Sequence, residues 1–77
     1  LDSPLAQQVE KILASAVGGF IAKATVKKNC EIIGCTPDSL SAGQLQELAA
    51  YVEKSVSFFS GKEAGTEVAD KIRNLVG

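Results

Sequence analysis

The amino-acid sequence predicts an all-α domain, either a compact four-helix bundle or an orthogonal helical array. Three observations predict it. Apolar residues recur at three- and four-residue spacing and nowhere alternate as a strand would. Serines open the apolar-periodic segments at Ser3, Ser41 and Ser60, and glycines at Gly18-Gly19, Gly34 and Gly61 divide them. The expected helices span about 4–17, 20–33, 42–59 and 61–76, with connections short enough to make two helical hairpins.

The first helix is announced by Ser3-Pro4, a capping side chain followed by a proline at a position where its missing N–H costs nothing. Leu5, Val9, Ile12, Leu13 and Ala16 fall on one face. Gly18-Gly19 then predicts a tight corner, because each glycine costs about 1 kcal/mol relative to alanine inside a helix.

In the second helix the apolar arc holds Ile21, Ala22, Thr25, Val26, Cys30, Ile32 and Ile33, and Lys23, Lys27, Lys28 and Glu31 share the opposite arc. Phe20 falls among the charged residues by angle, so it is either bent inward by the corner or exposed. Gly34 supplies the left-handed residue that ends the helix.

Ser41-Ala42-Gly43-Gln44 reads as a capping box, and Leu40 with Leu45 as the hydrophobic staple beside it. Leu45, Leu48, Ala49, Val52, Val56 and Phe59 then form a narrow apolar seam, with Tyr51 and Phe58 well outside it. Ser60-Gly61-Lys62-Glu63 repeats the capping-box pattern and opens the fourth helix, whose inner face is Ala64, Val68, Ala69, Ile72, Leu75 and Val76. Glu67 and Lys71 are spaced for a solvent-side ion pair.

The 77 residues make one domain, residues 1–77, near the size at which a single core is only just sufficient. With no methionine, the chain is expected to be excised from a longer protein or processed. No leader pattern remains at Leu1 to Pro4, and cytoplasmic location is the default expectation. The longest apolar run, Ala14 to Ala22, is interrupted by Ser15, Gly18 and Gly19 and falls short of the roughly 20 residues that cross a bilayer. Membrane insertion is not expected.

Chemistry is restricted as well. The chain has no histidine and no tryptophan, which removes the usual general base, the Cys/His and Ser/His nucleophilic pairs, and the commonest metal and haem ligands. Its two cysteines cannot complete a four-ligand zinc or iron–sulfur site without a second chain. The expectation is a non-enzymatic domain with no catalytic residue, metal or cofactor. The net charge of −1 also argues against a generic polyanion binder. Lys23, Lys27 and Lys28, with Lys11 nearby, read as a solvated basic stripe without the aromatic or arginine groups that stack on bases, so no nucleic acid is expected.

Three groups remain as candidate sites. If Gly34 closes a Schellman motif, Cys35 lies at C″ and Cys30 at C3, the positions whose side chains touch. The pair is then either two small apolar groups finishing the helix end or a thiol redox switch. Phe20, Tyr51 and Phe58, three of the four aromatics, fall off the main apolar arcs, which suits either a partner surface or a second packing seam. Asp38-Ser39-Leu40 resembles the attachment motif of acyl and peptidyl carrier proteins, which implies phosphopantetheine on Ser39. However, the capping box starts the following helix at Ser41, and that helix carries Glu47, Glu53 and Lys54 in near balance where carrier proteins present an acidic face. The competing reading is a turn formed by Pro37, Asp38 and Ser39 and held by local side-chain to backbone hydrogen bonds.

The order of elements, an amphipathic helix ending in "SAVGGF", a second helix, then "TPDSLSAGQLQELA" and a short final helix, resembles small helical domains of unknown function appended to bacterial and archaeal signalling proteins. Kinases and response regulators are among the proteins that carry such domains. In them a Gly-Pro pair often sits where this chain has Gly18 and Gly19. The resemblance covers most of the chain, transfers no catalytic residue, and implies a regulatory or assembly role. Together with the aromatic residues it favours a protein–protein interaction or dimerisation domain, whose partner is another protein or its own copy. A carrier domain at Ser39 and a redox switch through Cys30 and Cys35 are the alternatives.

Overall fold

The computed structural model describes residues 3–76; Leu1, Asp2, Gly77 and the side chain of Val76, including its expected place on the fourth inner face, lie outside the described residues. Ser3 caps α1 (Pro4–Val17), its Oγ accepting the Ala6 N–H at 3.1 Å. Ala6, Val9 and Leu13, spaced three and four apart, are wholly buried, while Leu5 and Ile12 pack only partly against the core. Ala6 thus takes the central place that spacing had offered to Leu5.

The corner after α1 is made by one glycine, not two. Gly18, at φ 84° and ψ 158°, donates its N–H to Ala14 O at 2.9 Å, and its own carbonyl accepts the Ala22 N–H at 2.9 Å. It ends one helix and caps the next. Gly19 is therefore already the first residue of α2 (Gly19–Ile32).

α2 buries Ala22, Thr25, Val26, Asn29 and Cys30. Ile32, expected on that arc, is 49% exposed. Two residues beyond Cys30 is some 200° around a helix, so a face that buries Cys30 turns Ile32 outward. Asn29 is the unexpected buried residue: its Nδ2 donates to Thr25 O at 2.9 Å and to Ser55 Oγ of the next long helix at 3.3 Å.

Ser41 and Gln44 form the expected capping box, with the Ser41 N–H donating to Gln44 Oε1 at 3.0 Å. The first turn, Ala42–Gln44, is a tight 3-10 turn, and α3 (Leu45–Ser60) continues from it. Leu40 and Leu45 are both buried beside the cap. Leu45, Leu48, Ala49, Val52 and Val56 make the seam, which stops there: Phe59 is 61% exposed. At the last turn of α3 the core thins out, so Phe59, although it shares the seam by spacing, is only partly covered.

Ser60 does not cap the fourth helix. It is the last residue of α3, and the N-cap of α4 (Lys62–Arg73) is Gly61, at φ 96° and ψ 161°. Gly61 repeats the Gly18 corner, bonding back to Ser57 O at 3.0 Å and forward to the Gly65 N–H at 3.1 Å. α4 buries Gly65, Val68, Ala69 and Ile72, with Ala64 and Leu75 partly packed. It ends at Arg73 and passes into a 3-10 turn over Asn74–Val76. The expected Lys71–Glu67 ion pair forms at 3.3 Å on the solvent side.

The result is a four-helix bundle of two hairpins, α1 with α2 and α3 with α4, with no strand among the described residues. α1 also packs on α3 and α4, and α2 on α3, so one core runs through all four helices. At one end the Ser3 N–H donates to Pro37 O at 3.2 Å, tying the start of α1 to the α2–α3 loop. At the other, Ser60 Oγ donates to Ala16 O at 3.3 Å, joining the ends of α3 and α1.

Candidate partner-binding surface

The Ser60–Ala16 bond decides where the aromatics lie. Phe58 and Phe59 immediately precede Ser60, and Phe20 follows Ala16 across the Gly18 corner, so all three phenylalanines belong to one end of the bundle. They are 87%, 61% and 87% exposed for Phe58, Phe59 and Phe20 respectively. Phe58 and Phe59 meet edge to face, with ring centroids 5.8 Å apart and planes at 81°. This is the favoured arrangement of two aromatic quadrupoles, and it braces the two rings against each other while leaving them open to solvent.

Tyr51, the third expected aromatic, behaves differently. It is half-buried, two turns before Phe58 on α3, with Lys54 Nζ 5.4 Å from its ring centroid. The lysine covers part of the ring, so Tyr51 is less open to solvent than the phenylalanines. Phe59, which spacing placed in the core, joins the surface instead. An adjacent Phe-Phe pair in the last turn before a Ser-Gly break was the available signal.

At the Ser60–Ala16 junction lies an open groove of about 360 Å³ between the last turn of α1 and the first turns of α4, lined by Ser15, Ala16, Ser60, Glu63 and Val68 among others. Lys62 and Glu63 are exposed there, and Lys23 is exposed one turn beyond Phe20. An aromatic ridge, a shallow trough and charges of both signs therefore occur together at this end. A larger open trough of about 540 Å³ runs along α1 past Gln7, Gln8 and Lys11.

The structure separates the other candidates from this end. Gly34, at φ 86°, donates its N–H to Glu31 O at 3.1 Å, and the Cys35 N–H donates to Cys30 O at 2.8 Å. That pair of bonds is the Schellman closure. Cys30 is buried and Cys35 half-buried, both as thiols packed in or against the core.

Thr36 to Ser39 is a turn in which Ser39 Oγ accepts the Thr36 N–H at 3.0 Å and the Ser39 N–H donates to Thr36 O at 3.0 Å. Ser39 is exposed, ahead of the capping box and not at a helix start. Lys11, Lys23, Lys27 and Lys28 are all exposed. Among the described residues no group of three His, Cys, Asp or Glu is placed to hold a metal ion, and no helix is long and apolar enough to cross a membrane.

Comparison with protein-family models, with curated proteins and with solved structures finds no match to this chain. The fold defines it as an all-α four-helix domain, with three exposed phenylalanines among the described residues.

Proposed function

We propose that this domain is a non-enzymatic protein–protein interaction or dimerisation module that docks through Phe20, Phe58 and Phe59. The observation that carries the reading is that all three phenylalanines are exposed and flank the helix ends joined by the Ser60–Ala16 bond, while the one other exposed large apolar side chain among the described residues, Ile32, lies at the far end of α2. A phenylalanine presents about 150–250 Å², so these exposures together leave roughly 350–600 Å² of ring surface in water; within it Phe58 and Phe59 meet edge to face as one apolar patch, and contiguous exposed apolar surface is often functional. That is about half or more of the ~800 Å² each partner contributes to a standard interface. The groove and the charged rim supply the remainder. Tyr51 extends the surface as a marginal contact.

A regulatory or assembly role in the cytoplasm is part of the same proposal, supported by the resemblance to helical domains appended to signalling proteins. Carrier chemistry at Ser39 lacks comparable support, because that hydroxyl is engaged with Thr36 in a turn.

The test is sedimentation over a wide concentration range for the wild type and for a Phe20→Ser, Phe58→Ser, Phe59→Ser variant. Self-association of the wild type that the triple variant abolishes, with helicity and melting unchanged, supports a second copy as the partner. If the wild type remains a monomer, quantitative cross-linking in extracts of the source cells compares the same two proteins. Identical adducts for both would sink the proposal.

A further inference from the structure

Independently of the docking surface, we infer that Cys30 and Cys35 form an oxidative modification site that closes to an intrachain disulfide by exchange with a low-molecular-weight disulfide. Two features of the α2 C-terminus carry this. The first is alignment. The bonds from the Cys35 N–H to Cys30 O at 2.8 Å and from the Gly34 N–H to Glu31 O at 3.1 Å fold the chain back over the last turn. This sets C″ over C3, and the 2.8 Å bond, with ordinary bond lengths on either side of it, holds the two α-carbons no more than about 6.7 Å apart. A disulfide requires α-carbons roughly 4.4–6.8 Å apart, so closure needs side-chain rotation and no rebuilding of the helix end.

The second feature is asymmetric access. Cys30 has 0% exposure, whereas Cys35 is half-buried at the start of the loop. A dissolved oxidant therefore meets Cys35 first. In that step the Cys35 sulfur, having lost its proton to solvent, attacks one sulfur of the small disulfide. The S–S bond breaks, and one small thiol leaves and takes up a proton. The Cys30 thiol then gives up its proton as its sulfur attacks the Cys35 sulfur, the mixed S–S bond breaks, and the second small molecule departs as a thiol carrying one proton. Two protein thiols are oxidised by two electrons, and one small disulfide is reduced to two thiols. The second step is intramolecular, so burial of Cys30 does not prevent it.

The experiment treats the folded chain with oxidised glutathione and reads intact mass and a tryptic map. Cys30 and Cys35 fall in one peptide, between Lys28 and Lys54, so closure appears as the loss of two hydrogens from that peptide. The wild type should lose two hydrogens with no lasting adduct. Cys30→Ala should accumulate a glutathione adduct on Cys35, and Cys35→Ala should stay unmodified while folded. A wild type that retains its Cys35 adduct as Cys30→Ala does, or that forms only covalent dimers, would overturn the assignment. The wild-type and Cys35→Ala readings decide the matter even if Cys30→Ala fails to fold. Neither depends on the phenylalanines.

Discussion

Gly65 of α4 lies against Ser57 of α3 so closely that a β-carbon at position 65 would collide with Ser57 Oγ and stand 2.7 Å from the Glu53 carbonyl oxygen. The missing side chain lets the two backbones approach, and α3 with α4 is the tighter of the two hairpins. A glycine inside a helix ordinarily costs about 1 kcal/mol against alanine. Here that cost is offset by contact along the whole α3–α4 face. Gly65→Ala should therefore destabilise the fold by about 1–3 kcal/mol through overpacking, opposite in sign to the propensity gain. Urea denaturation with an unchanged slope would measure it. A more stable variant would contradict the close approach.

The two adjacent glycines of the first corner should respond in opposite directions. Gly18, at φ 84° and ψ 158°, occupies a region essentially reserved for glycine, whereas Gly19 is helical with open space where a β-carbon would go. Gly18→Ala is expected to lower stability by about 1–3 kcal/mol. Gly19→Ala should leave it unchanged or raise it by up to about 1 kcal/mol. Thermal melts of both variants give the comparison directly, and equal effects would show that the corner is shared.

Asn29 and Ser55 provide a partly buried polar tie between α2 and α3. Because Asn29 also donates to Thr25 O, the single substitution reports more than the tie. A double-mutant cycle with Asn29→Ala and Ser55→Ala isolates the pair. Its coupling energy should fall at about 0.5–1.5 kcal/mol, the net value of a neutral hydrogen bond. A coupling near zero would mean that the contact contributes nothing to helix placement.

Val56 and Phe59 share the seam by spacing and differ by burial. Val56 is 1% exposed and Phe59 61%. Val56→Ala should cost about 1.5–3 kcal/mol from lost apolar burial and the cavity left behind, while Phe59→Ser should change stability by no more than about 0.5 kcal/mol. Chemical denaturation of the two variants tests where the core ends. A large loss for Phe59→Ser would move the aromatic end into the core.

Most local structure was legible along the chain. The Ser3-Pro4 start, the Ser41–Gln44 box with its Leu40–Leu45 staple, and the Gly34 ending were correctly placed because each depends on residues within a turn of one another. The Pro37–Ser39 turn followed from the same local chemistry. Where such signals misled, a neighbour had intervened. Ser60 carries the capping pattern, yet Gly61 takes the cap, and the Ser60 hydroxyl turns to Ala16 forty-four residues away in sequence.

The candidate surface was only partly legible. Phe20 and Phe58 stood out as aromatics off the apolar arcs, and both are exposed. Tyr51 is only half-buried beneath Lys54, and Phe59 was hidden inside a periodic seam. Periodicity reports an angle around a helix axis. It carries no information on how far along that axis a neighbour continues.

By itself, then, the sequence determined what is local: helix type, number and most ends, the hairpin pairing implied by short connections, and the Schellman ending at Gly34. Tertiary structure alone decided that Asn29 is buried, that Gly65 is a contact surface, and that Phe20, Phe58 and Phe59 belong to one end of the bundle. The physical reason is range. Caps, turns and side-chain angles are fixed by hydrogen bonds and sterics over four or five residues. Burial and convergence depend on which distant helix lies alongside and where it stops.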